Sequence, residues 1–185
     1  HALPLILLAM YFVLFVILAF NPVDRTIWFA ENATVWIIVG TLIVLYAFGI
    51  RFSNTSYILM SVLIFLHTIG GHYTFSKVPF DWFTNFFGFE RNHYDRIAHF
   101  SVGLYAFAIA EWLRVKRLVA NRFLLFTYPV FVIATIAMIY EIVEGISAEM
   151  ATAEVGIAYL GSQGDIWDAQ KDMLFNVLGA IVATW

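Results

Sequence analysis

Cysteine is absent from the 185 residues, so the chain forms neither a disulfide nor a thiolate metal site. Charge is scarce as well. Only 12% of residues are charged, the formal net charge is −3, and the ten Lys and Arg residues form no long basic run. Nucleic-acid binding needs clustered cations to neutralise phosphates, so no nucleic-acid partner is expected. Haem, flavin and nucleotide motifs are missing too, as are internal repeats, heptads and low-complexity tracts. No polar stretch is long enough to make a separate soluble domain.

What fills the chain instead is apolar surface. Sixty-two per cent of residues are hydrophobic, and the mean hydropathy is +0.84, values that belong to a membrane protein rather than a soluble core. Six segments are long enough to cross a bilayer, at roughly 2–20, 33–50, 55–73, 95–113, 123–145 and 167–185. The expectation is an all-α polytopic membrane protein, with residues 1–185 forming one bundle of six transmembrane helices. The first run lacks a small-x-small cleavage site before Asn21-Pro22 and reads as a retained helix. Because the sequence begins at His1 rather than Met, the native start is expected to lie outside these residues.

Orientation follows from the short loops. Arg114, Lys116, Arg117 and Arg122 cluster between the fourth and fifth segments, which predicts a cytoplasmic loop there and, with six spans, cytoplasmic termini. Loops 74–94 and 148–166 are then outside, and the aromatic-rich first of them is expected to lie in the interface or to cap the bundle.

Topology turns sequence position into depth, at about 1.5 Å per helical residue across about 30 Å of hydrocarbon. Asp95 and His99 enter from outside as an i, i+4 pair, and Glu141 and Glu144 arrive near the outer surface after some 27–32 Å of the fifth helix, taken as a rough rise. Asp165, Asp168, Asp172, Asn176 and Gly179 follow one another at the period of one helix face, with Asp172 the deepest acid. His72 reaches the outer boundary. Ionisable groups inside a bilayer are costly, so this convergence points to a functional site.

So many acids repel unless protonated or bridged by a cation, and a divalent metal relieves that excess most simply. Mixed imidazole and carboxylate ligands without sulfur suit zinc, manganese or iron better than magnesium or calcium. Asp95, His99, Glu144, Asp168 and Asp172 are the expected metal ligands and Glu141 the catalytic acid/base, with His72, His93, Asp165 and Asn176 as further candidates. Plainer readings stand beside these. Asp95 serves equally as a helix cap, and Asp165 reads first as a cap of the sixth helix. His93 reads as an interfacial loop residue, and His67, alone on its helix, as a core histidine. Glu111 belongs to the cytoplasmic boundary.

The motifs His93-Tyr-Asp-Arg-Ile-Ala-His99-Phe, Tyr140-Glu-Ile-Val-Glu144 and Gly164-Asp-Ile-Trp-Asp168-Ala-Gln-Lys-Asp172-Met-Leu-Phe-Asn176-Val-Leu-Gly179 resemble, over nearly the whole chain, the YjdF-like family of small bacterial inner-membrane proteins. That family is a domain of unknown function, and the resemblance implies a polytopic helical inner-membrane protein. The chain is also similar to the VanZ-like proteins associated with glycopeptide resistance, through an Asp-x-x-x-His helix, a Glu-bearing helix and an Asp-x-x-x-Asn-x-x-Gly helix. Three functions stay open: a metal-dependent hydrolase or transferase of lipid or lipid-linked envelope substrates, a cation- or proton-coupled transporter, and a non-catalytic envelope protein held together by its polar cluster. No oligomeric state is legible.

Overall fold

The computed structural model of the chain describes residues 2–185, and among them every regular element is a helix. Helix α1 spans Leu3–Leu18, with Pro4 in its first turn, where a missing amide hydrogen costs nothing. Helix α2 runs from Arg25–Ala47 because the Asp24 side chain accepts from the Thr26 and Ile27 amides, closing the N-terminus eight residues before the sequence predicts. Ser53 caps α3 (Asn54–Tyr73) in the same way, and left-handed Thr74 ends it. A short helix, α4 (Asp81–Phe87), lies in the aromatic loop with Trp82 and Phe86 exposed.

The fourth expected span is divided. Helix α5 (Tyr94–Gly103) passes through a tight turn at Leu104 into α6 (Tyr105–Val115), with Leu104 N–H donating to Ser101 O and Phe107 N–H to Leu104 O. Helix α7 (Arg122–Met150) is capped by Asn121, α8 (Ala153–Leu160) by Thr152, and α9 covers Asp168–Thr184. The six apolar segments thus map onto α1, α2, α3, α5 with α6, α7 and α9. By length and composition α2, α3 and α7 are the helices able to cross a membrane, whereas α1 and α9, at 16 and 17 residues, are shorter.

Packing is tightest between α5 and α9. A Cβ on Gly179 would stand 2.0 Å from Phe100 O, and one on Gly103 would stand 2.3 Å from Ala180 N, so the two backbones touch where both lack side chains. This contact ends the stripe that begins at Asp165 and brings the polar face of α9 onto α5. Helix α7 flanks α9, while α3 bridges α5 to α1 and α2. Small apolar clusters knit the layers: Tyr11, Val35 and Ile64 across α1, α2 and α3, and Ala106, Ile133 and Ala180 across α6, α7 and α9. The outward faces carry exposed Phe12, Ile37, Phe123 and Phe131, as lipid contact requires.

Candidate functional site

At the end of the bundle that carries α4 and α8, acids on α9 and just before it meet cations from α5, its approach loop and α9 itself. Arg96, 2% exposed, donates to Asp172 and Asp168. Arg91 Nη1 lies 2.7 Å from Asp168 Oδ1 and 3.4 Å from Asp165 Oδ2, and Lys171 Nζ donates to Asp165 Oδ2 at 2.6 Å. Three cations therefore answer the three aspartates of the stripe. Charge compensation of this kind is what makes a buried carboxylate tolerable. The loops close over it: Asn92 and Gln163 exchange two hydrogen bonds of 3.0 Å, and Arg91 Nη1 donates to Ser162 O.

Asp165 caps the turn before α9, its Oδ1 accepting from the Trp167 amide at 3.1 Å, and the Lys171 ammonium holds its carboxyl below the usual range. Asp168, expected as a metal ligand, is instead clasped between two guanidinium groups. His93 lies before α5 with its ring 4.4 Å from Phe89, and burial together with Arg91 keeps its imidazole below its usual pKa. His72 is directed elsewhere, its Nδ1 bonded to Leu18 O at 2.8 Å at the end of α1. The structure thus sets His72 apart from the wall expected of it. Glu111, at the opposite end, accepts from Ser53 N–H and from the Ser53 and Ser56 hydroxyls.

Of the groups that remain, Asp95, His99, Glu144 and Asn176 line a cavity of about 110 Å³, with Asp172 and Glu141 behind its wall. His99 stands at its side with Nε2 3.4 Å from Asp95 Oδ1 and 3.7 Å from Asp172 Oδ1. One ligand atom from each of Asp95, His99 and Asp172 lies within 4.8 Å of the others. Metal bonds of about 2.0–2.2 Å put ligand atoms at such mutual distances after small side-chain adjustment. On the other edge of the ring, Nδ1 lies 3.0 Å from the Asn176 side-chain amide and 3.9 Å from Glu141 Oε1. Glu141 Oε1 and Asn176 Oδ1 are buried acceptors without hydrogen-bond partners. Glu141, expected as the acid/base, therefore sits behind the histidine, and of the two α7 glutamates Glu144 is the one that lines the cavity.

The facing wall contains two residues that sequence reasoning undervalued. Glu31, 2% exposed on α2, approaches His67 Nε2 at 3.0 Å, yet the pair is misaligned and neither atom completes a hydrogen bond. The second segment was expected to start at 33, which left Glu31 in a loop. The signal that would have placed it inside the helix is Asp24, an N-cap residue preceding Arg25 and Thr26.

Beside the cavity lies a groove of about 590 Å³ between α2, α7 and α8, walled by Ala33, Ile37, Ile136 and Val143 among others. Thr34, Ile136, Tyr140, Glu144 and Tyr159 line both spaces, so the polar cavity is continuous with an apolar flank. Burial, with Glu31 and Glu144 adding, pushes the Tyr159 hydroxyl above its usual pKa, consistent with its place at this junction. Toward the Glu111 end, Ile38, Leu63, Val102 and Ile136 floor the cavity and roof a largely apolar groove.

Residues 3–185 match the profile of a family described as predicted membrane protein (DUF2238). The chain is also 34% identical, over 187 aligned residues, to the inner membrane protein YjdF of Escherichia coli (strain K12), covering 96% of this chain and 87% of that protein. The first resemblance drawn from the motifs is thereby supported, while nothing in these matches extends to the VanZ-like proteins. No solved structure matches.

Proposed function

The chain belongs to the DUF2238 family of predicted membrane proteins, and on that premise we propose that it is a bacterial inner-membrane enzyme with a divalent-metal centre at Asp95, His99 and Asp172, hydrolysing or transferring a group on a lipid-type envelope substrate. One observation carries this reading. Asp95, His99 and Asp172 bring three ligand-type atoms from α5 and α9 within 4.8 Å of one another, and the first two line a cavity that continues into an apolar groove, so a headgroup at the metal and a chain among lipids are compatible.

The unpartnered acceptors support the metal. A histidine that ligates through Nε2 carries its proton on Nδ1 and donates it to a carboxylate or carbonyl. Glu141 Oε1 is buried, unpaired and close to that nitrogen, which makes it the orienting group for such a tautomer. Arg96 holds Asp172 in place by donating to the same Oδ1 that faces His99. Sulfur-free imidazole and carboxylate donors fit zinc, manganese or iron. A bound divalent ion supplies Lewis acidity toward a carbonyl or phosphoryl oxygen. Glu144, on the cavity wall, is the residue placed to take or return a proton, and Tyr140 and Tyr159 shape the passage to the groove.

A coupled transporter needs ionisable groups continuing to the opposite face, and the apolar floor of Ile38, Leu63, Val102 and Ile136 favours the enzyme instead. The test is turnover of labelled envelope lipids in membranes. Turnover by the wild type that stops in His99→Ala and in Glu144→Gln, and that a chelator suppresses reversibly, supports the enzyme. Cation flux in proteoliposomes that disappears in Glu144→Gln, without lipid turnover, overturns it.

A further inference from the structure

The cavity's charge balance names the kind of headgroup it takes. Arg91, Arg96 and Lys171 are all engaged with Asp165, Asp168 and Asp172, and no Lys or Arg lines the cavity or the groove. Its ionisable lining is Glu31, His67, Asp95, His99 and Glu144. An anionic headgroup would meet carboxylates there with no free guanidinium or ammonium to receive it. A cationic one would meet complementary charge on the α2 and α7 side.

A second observation points the same way. Glu31 is 2% exposed and lines the cavity, and its one close neighbour, His67 Nε2 at 3.0 Å from Oε2, completes no aligned hydrogen bond with it, so a donor from a ligand finds acceptor capacity there. A primary ammonium offers three such donors. Glu144 stands where the cavity opens into the α2–α7 groove, and Tyr140 and Tyr159 present aromatic rings at the same opening, which suits a cation. Beyond them the groove is bounded by Ala30, Ala33, Ile37, Ile139 and Val143, an apolar wall that suits a hydrocarbon chain rather than a polar group.

We propose that the cavity and groove together bind a membrane amphiphile with a primary-amine headgroup, its ammonium between Glu31 and Glu144 and its hydrocarbon chain lying in the α2–α7 groove. This deepens the substrate assignment and rests on reading the cavity as a substrate site, though it does not depend on the metal. Binding uses ground the metal ligands leave free: Glu31 and Glu144 belong to α2 and α7, whereas Asp95, His99 and Asp172 belong to α5 and α9.

Purified protein in uncharged detergent, with EDTA present, is titrated with tritiated dodecylamine and competed with unlabelled dodecylamine, dodecanol and dodecyl sulfate. Saturable binding displaced by the amine and not by the alcohol or the sulfate is expected. Glu31→Gln and Glu144→Gln should each weaken it by about tenfold or more, the scale of one charged hydrogen bond. Glu31 is buried, so Ala33→Phe serves as a second variant: Ala33 is exposed on the groove wall, and a phenyl ring there obstructs the chain without entering the core. Loss of binding in a helical, normally melting Ala33→Phe protein supports the proposal. Absence of saturable binding, equal competition by dodecanol or dodecyl sulfate, or unchanged affinity in folded Glu144→Gln and Ala33→Phe overturns it. Failure here with a metal still bound removes the amine alone, and amine binding in a protein that retains no metal removes only the metal centre.

Discussion

Replacing Arg96 with methionine keeps the length and apolar stem of the side chain and removes the one guanidinium that reaches both Asp168 and Asp172. The two aspartates do not suffer equally. Asp168 keeps Arg91 at 2.7 Å, whereas Asp172 is left with the His99 ring, Nε2 at 3.7 Å, and no other guanidinium or ammonium. The arginine is 2% exposed, so the stranded carboxylate gains no water in exchange. Removing one partner of a buried pair costs about 3–5 kcal/mol, and the partial rescue of Asp168 puts the expected loss near the lower figure, about 3 kcal/mol. The assay is reversible unfolding in mixed micelles followed by far-ultraviolet circular dichroism. Adding Asp172→Asn to Arg96→Met should restore about 2 kcal/mol, because the charge that was stranded is gone. A single variant costing under about 1 kcal/mol, or a double variant whose losses simply add, would refute the compensation argument.

Three further outcomes follow from the same geometry. Gly179→Ala drives a methyl group into the Phe100 carbonyl at 2.0 Å and should cost at least about 1–3 kcal/mol, while Gly145→Ala, with open space around its Cβ, should be neutral or stabilising in the same melt. Asp165, whose folded-state pKa lies below its ordinary 3.8 because of Lys171, stabilises the fold above that value and loses the contribution as pH falls through the folded pKa; the difference in stability between wild type and Asp165→Asn should be present at about pH 6 and gone by about pH 2. Glu141→Gln should weaken metal affinity by about 10–100-fold in a competition titration while the protein remains folded, as loss of a histidine-orienting carboxylate does.

Much of this arrangement was legible from spacing alone. Asp95 with His99, and Asp172 with Asn176, are helical neighbours by their i, i+4 intervals, and the depth argument brought them to one end of the bundle. Rotation of one helix against another is a tertiary property, and there sequence reading stopped. Arg96 is adjacent to Asp95 and about 100° around the helix from it, so nothing local says that both reach α9; they do because Gly103 and Gly179 let the two backbones touch. The candidate partners Arg91, Arg96 and Lys171 were countable in the sequence, but which acid each one reaches was not. His72 illustrates the same limit, since its depth was readable and its direction, toward Leu18 O, was not. Glu31 was missed for a different reason: weighting hydropathy over the Asp24 cap began the second helix too late. The break at Leu104 carries no proline, and α4 and α8 are shorter than the windows that reveal spans.

Asp95, His99 and Asp172 form either a metal centre or a closed set of ion pairs with Arg96, and elemental analysis of the purified protein separates the two. The account predicts close to one zinc, manganese or iron per chain in the wild type and in His72→Ala, falling to background in His99→Ala and Asp172→Asn proteins that still fold. A wild-type protein that holds no divalent metal, even after exposure to it, or one whose metal content is unchanged in His99→Ala, would contradict it.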